Sequence, residues 1–148
     1  MQYRLVFLAI LFLLLIPSLC LSAGLSSGEK RRIGSEAEED FRVIIDLWNS
    51  GRFEELYGFG NRKSKLSFSE EKFVHQMKGK RWELAGSWER IRGMESDVRS
   101  RTSVFVRAKM GFRPKAGGDT KFVTETFSMT LEGGRWRTGL SKILSCPK

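Results

Sequence analysis

The sequence predicts an α+β domain in which three N-terminal helices pack on a curved, four-stranded antiparallel sheet. Three observations carry that prediction. Val104, Val106, Ala108, Met110 and Phe112 alternate with Ser103, Phe105, Arg107, Lys109, Gly111 and Arg113. This period of two with one apolar face is the pattern of a half-buried strand. Phe41, Ile44, Ile45 and Trp48 recur at i, i+3, i+4 and i+7, the stripe of an amphipathic helix. Gly133-Gly134 stands between two strand-like runs, and glycine takes positive φ at both central positions of a tight hairpin without strain.

Residues 1–23 read as a secretory signal. Arg4 supplies the positive start, residues 5–16 are almost wholly apolar, Pro17 interrupts the run, and Ser22-Ala23 offer a small-residue cleavage point. A retained anchor is the alternative, but the run falls short of the about 20 apolar residues that a span needs. Cys20 raises a lipoprotein reading, for which Leu19 and Pro17 make a poor lipobox. The expected compartment is periplasmic or extracellular, with no stable membrane span after cleavage.

The net charge is +9, and loss of Arg4 with the signal leaves +8. An exported protein does not normally meet genomic DNA, so nucleic acid is not an expected partner. The charge suits an anionic envelope component or an acidic protein, beside the plain alternative of a solubilising surface. Of the two cysteines only Cys146 would remain after cleavage, so no internal disulfide is expected.

Residues 24–34 carry Ser26-Ser27-Gly28 and the cations Lys30-Arg31-Arg32 and read as a polar linker. The domain is expected over residues 35–146. Ser35-Glu36-Ala37-Glu38 has the form of a capping box that opens the first helix, and Asn49-Ser50-Gly51 closes it. A short second helix is expected over residues 52–59, with Phe53, Leu56 and Tyr57 on its apolar side, then a loop or edge strand over residues 61–66. Ser69 caps a third helix whose inner face is Phe73, Val74 and Met77. Trp82 and Leu84 fall in a connection. Residues 87–99 form an irregular strand with a bulge or break near Gly93, because Trp88, Ile91, Met94 and Val98 do not keep one parity. Strands over residues 103–113, 123–131 and 135–144 complete the sheet.

This order resembles the nuclear-transport-factor-2-like (cystatin-like cone) superfamily. The resemblance rests on the helix ending Leu47-Trp48-Asn49-Ser50-Gly51, on Phe53-Glu54-Glu55-Leu56-Tyr57, on the cap Ser69-Glu70-Glu71-Lys72-Phe73, and on Gly133-Gly134-Arg135-Trp136-Arg137 at the start of the last strand. It implies a sheet wrapped around the first helix, with a pocket at the wide end of the cone. Trp48, Tyr57 and Phe127 are the candidate lining residues, and Asp46 is a further polar one. The same cone serves enzymes, binders and assembly modules, so the resemblance speaks to fold more than to function.

Enzymes of that superfamily use an acid or a histidine inside the cone. Glu125 shares inward parity with Val123, Phe127 and Met129 and is the candidate general base. The alternative is a solvated carboxylate or one paired with Lys121 or Arg107. His75, the one histidine, is the second candidate, against a plain helix-surface role. Neither a zinc ligand set nor a cofactor fingerprint is present. Ser69-Glu70-Glu71-Lys72 matches the Ser-x-x-Lys string of penicillin-recognising enzymes without their companion elements. Outward parity is assigned to Arg90, Arg92, Arg107, Lys109, Arg113 and Arg135, with Phe105 and Phe122 among them. In the superfamily this face often pairs two subunits, so Phe105, Arg107, Lys109 and Phe122 are the candidate partner surface for a homodimer or an acidic protein. The expected function is an exported, non-enzymatic binding or accessory domain. The alternative is a small isomerase, cyclase or hydrolase that uses Glu125 or His75.

Overall fold

The computed structural model describes residues 24–147. The expected signal and Cys20 lie outside them. The first helix, α1 (Ser27–Asn49), begins eight residues before the expected start. The capping box forms at Ser26, whose hydroxyl accepts from Glu29 N (3.2 Å) while the Glu29 carboxylate accepts from Ser26 N (3.0 Å). The expected linker therefore supplies two helical turns. Their warrant is apolar: Ile33, Gly34 and Ala37 extend the stripe of Phe41, Ile44, Ile45 and Trp48, and all are buried. At Gly34 the helix lies so close to the sheet that a Cβ would sit 2.5 Å from Ser96 Oγ.

Helix α2 (Phe53–Gly58) follows as expected and buries Leu56. Where a loop or edge strand was predicted there is a helix, α3 (Arg62–Ser67), capped by Asn61 Oδ1 accepting from Ser64 N at 2.9 Å. Helix α4 (Glu70–Lys78) has the predicted Ser69 cap and buries Phe73, Val74 and Met77. Four helices thus precede the sheet, one more than predicted.

The sheet has five strands rather than four. Strand β1 (Trp82–Leu84), expected as a connection, pairs antiparallel with the end of β3 (Ser103–Pro114). A 3-10 turn (Ser87–Glu89) leads into β2 (Ile91–Ser100), which pairs with the rest of the same edge of β3. The register shifts between Ile91 and Gly93, the bulge predicted there. Strand β4 (Lys121–Glu132) takes the other edge of β3, and β5 (Arg135–Thr138) returns along β4. Gly133 and Gly134 turn between them at φ 61 and 77. The predicted last strand stops at Thr138. After it Leu140 and Ile143 fall at i, i+3 and are buried on a short helix, α5 (Leu140–Ser145). Helical spacing replaces alternation there, and Leu140 presses against Gly60.

The molecule is α+β: a curled antiparallel half-barrel with helices, its concave face filled by α1. Val104, Val106, Ala108, Met110 and Phe112 all point inward and are buried, as their parity requires. Phe41 meets Phe127 with ring centroids 4.8 Å apart, and Trp48 meets Phe112 at 5.8 Å. Each large side chain so buried contributes about 1.5–3 kcal/mol. The Asp40 carboxylate accepts from Trp136 N at 2.8 Å and ties α1 to β5. One sheet margin is closed by a parallel bridge between Gly60 and Thr138. At the other margin, β2 pairs only with β3 among the described residues. No helix among them is long and apolar enough to cross a membrane.

Candidate functional site

Glu125 has the predicted inward parity, opposite Ala108, and is half-buried. Its partner is neither Lys121 nor Arg107. The carboxylate accepts from Lys142 Nζ, which α5 delivers and which also lies 5.6 Å over the Phe127 ring. Arg107 is on the opposite face, and Lys142 comes within reach because residues 140–145 form a helix instead of a strand. Cys146 is buried beside this pair. Burial pushes its thiol up to about 11, the Glu125 charge adds to the rise, and Lys142 and Lys80 oppose it. The thiol is protonated at neutral pH and is no nucleophile. Lys80 Nζ donates to Leu144 O at 2.7 Å, and desolvation lowers its pKa.

His75 is exposed on α4, off the buried Phe73–Val74–Met77 side. Among five clefts on the described residues, none is lined by Glu125 or His75. No group of three or more His, Cys, Asp or Glu that could hold a metal ion comes together among the described residues.

None of these five clefts is lined by more than one of the three predicted pocket residues. Phe127 is fully buried against Phe41. Tyr57 packs on Phe73 with centroids 6.0 Å apart and donates its hydroxyl to Phe68 O at 2.8 Å. Trp48 alone reaches a cleft, of about 350 Å³, between the end of α1 and β1, with Phe53, Met77, Trp82 and Leu84 and a rim that includes Arg113 and Lys115. Asp46, at that same end of α1, is exposed and pairs with Arg90 at 2.8 Å.

The outer face of the sheet does gather its predicted residues. The register sets Phe105 beside Asp97, Arg107 beside Glu95 and Phe122 beside Gly111. Two adjoining clefts run along it. One of about 490 Å³ is lined by Asp97, Arg99, Phe105 and Thr126, the next of about 320 Å³ by Gly93, Lys109 and Thr124, and both include Glu95 and Arg107. Phe105 lies under the Arg99 guanidinium at 5.3 Å. Phe122 forms one side of a sandwich: Arg92 lies 4.2 Å from its ring and 4.3 Å from that of Trp88. Guanidinium-aromatic stacking of this kind is worth about 0.5–1 kcal/mol at an exposed site.

Sequence parity gave Phe105, Arg107, Lys109 and Phe122 and missed Trp88. It lies before the bulge, on a turn where Ser87 adopts φ 50, a left-handed value uncommon for a residue other than glycine. The same bulge overturns the outward assignment of Arg90. Its side chain is largely buried, and its Nε has no hydrogen-bond partner among the described residues. Arg107 and Lys109 are exposed, and among the described residues neither has an acidic partner within ion-pair distance.

No family model matches the chain, and no curated protein matches it significantly. The functional reading is therefore carried by the site alone. Among the described residues its interior has an engaged carboxylate and a protonated thiol. Its outer face gathers two adjoining grooves and stacked cations.

Proposed function

We propose that this chain is an exported, non-enzymatic binding or accessory domain of the cone superfamily that works through the outer face of its sheet. The observation that carries the reading is the pair of adjoining clefts centred on Arg107 and Glu95. Export is supported by the signal-like order of residues 1–23, and kinship with the cone superfamily by α1 seated in a curled sheet. The occupant we favour is a second copy of the chain. The register sets Glu95 of β2 beside Arg107 of β3, so a two-fold axis running between those strands would lay each of the two on its opposite in the second copy. The isomerase, cyclase or hydrolase reading has against it the Lys142 contact of Glu125 and the exposure of His75.

Sedimentation equilibrium tests the proposal. The wild-type chain should dimerise in a salt-dependent way, Arg107→Glu should weaken the dimer at least tenfold, and adding Glu95→Arg should restore it. A chain that stays monomeric at high micromolar concentration and low salt refutes self-pairing. Dimerisation indifferent to Arg107→Glu refutes this face as its seat.

A further inference from the structure

The described residues begin at one end of the sheet. Glu29 in the first turn of α1 ion-pairs with Arg101 in the β2–β3 turn at 3.0 Å. The next residue, Thr102, accepts through its carbonyl from Leu131 N at 3.0 Å, close to the end of β4. The β4–β5 turn follows, and its Gly133 lines a shallow cleft of about 360 Å³ with Leu66 and Lys65 of α3. The start of α1, two hairpin turns and α3 thus share one end of the molecule.

That end has an unusual side chain. Leu66 is 85% exposed, far more than any other large apolar residue described. Arg62 and Lys63 precede it on α3, both exposed and with side chains in no ion pair among the described residues; the one carboxylate that lines the cleft, Glu132, accepts from Arg62 N at 2.9 Å. Lys30 and Arg31, also exposed, lie in the opening turns of α1, where the helix dipole disfavours positive charge.

We infer that this end of the domain docks on an anionic phospholipid bilayer, with Leu66 inserted below the headgroups and Arg62 and Lys63 set among the phosphates. A solvated acidic polymer would match the cations but gives nothing for a bare leucine at the centre of them. A bilayer rewards both, because it takes up the apolar group while the long cationic stems reach the headgroup layer. The inference is independent of the dimer proposed above, since it uses neither Arg107 nor the outer face.

The test places an environment-sensitive fluorophore at Leu66→Cys in the full chain carrying Cys20→Ser, with Cys146 left in place because its thiol is buried and protonated. A second chain carries the label at Thr126→Cys on the outer face. Both are mixed with phosphatidylcholine vesicles, with vesicles containing one-third phosphatidylglycerol, and with polyglutamate. The label at residue 66 should brighten several-fold and shift to the blue on the anionic vesicles alone, and rising salt should reverse the effect. Arg62→Glu with Lys63→Glu should weaken the response at least tenfold, since each cation near such a surface is worth about fivefold in partitioning. The label at residue 126 should not respond. No response at residue 66, an equal response on neutral vesicles, or equal responses at residues 66 and 126 would each overturn the inference. A response to polyglutamate in place of vesicles would assign this end to an acidic polymer and overturn it too.

Discussion

Gly111 is the place where one added carbon should do most damage. It lies on β3 where the connection between β1 and β2 crosses. Its N–H donates to Arg90 O at 3.3 Å, and its carbonyl accepts from Ala85 N at 2.9 Å. A Cβ there would stand 2.3 Å from the backbone oxygen of Glu89, 3.0 Å from Thr120 Cγ2 and 3.1 Å from Phe122 Cε1. Real Cβ atoms essentially never come within 3.0 Å, so the Glu89 carbonyl must retreat by at least 0.7 Å. Two effects compete in Gly111→Ala. Stiffening the unfolded chain favours the variant by about 0.4–1 kcal/mol. Overpacking against backbone that cannot rotate away costs about 1–3 kcal/mol, and two strained hydrogen bonds add to the loss. The net expectation is destabilisation by about 1–3 kcal/mol. Gly93→Ala is the control: it is also a sheet glycine, but nothing lies within 4 Å of its Cβ. That variant should be neutral or more stable by up to about 1 kcal/mol. Urea unfolding followed by tryptophan fluorescence gives both values from the midpoint shift at constant slope. Near-UV circular dichroism should also change in Gly111→Ala, because the displaced turn carries Trp88 away from Arg92. A Gly111→Ala variant within about 0.5 kcal/mol of wild type, or equal losses at both glycines, would refute the close crossing.

Two further outcomes are expected. Asp40→Ala should cost about 1–3 kcal/mol in the same urea assay, because it leaves the N–H of the buried Trp136 without its acceptor. Asp40→Asn keeps an acceptor oxygen and should cost much less, and equal losses would show that the hydrogen bond is not the cause. Ultraviolet titration of the Cys146 thiolate should give a midpoint near 11 in the folded protein and an ordinary value near 9 in urea. The fold holds that proton more tightly than the unfolded chain does. The stability contribution of Cys146 is therefore whole below pH 9 and is lost as pH climbs towards 11. Lys80, lowered by burial, works in the opposite sense, so the Cys146 part is read from the difference between wild type and Cys146→Ala. A folded-state midpoint near 9 would mean that the thiol is open to water.

The elements most legible in the sequence were those with a long, unbroken period. Strand β3 alternates over its whole length, the Gly133-Gly134 turn has one comfortable geometry, and the bulge near Gly93 shows as a break of parity. The errors share a cause: short segments whose state is set by tertiary packing. Trp82 to Leu84 is too short to show a period, and it is a strand because the end of β3 offers it an edge. Leu140 and Ile143 fit either a helix or the tail of an irregular strand, and contact with Gly60 accompanies the helical choice. The opening of α1 was hidden by its cations. Lys30-Arg31-Arg32 look like a linker until Gly34 is seen against Ser96 and Val98 and Ile33 is seen to be buried. At the site, parity found the outer-face residues because register carries parity across a sheet. It could not find the partner of Glu125, which comes from an element that the pattern had read as a strand.

The two margins of the half-barrel have different fates in a crowded compartment. Thr138 on β5 exchanges hydrogen bonds with Phe59 and Asn61, so no incoming strand can add there. β2 offers a run of ten residues whose outward amides and carbonyls no strand among the described residues occupies. Left flat and apolar, such a run would template the addition of any extended chain that met it. Its residues obstruct that. The kink at Arg92 spoils the spacing at one end, and Glu95, Asp97 and Arg99 make a foreign strand meet charges of both signs. The open margin survives because its side chains make it a poor template.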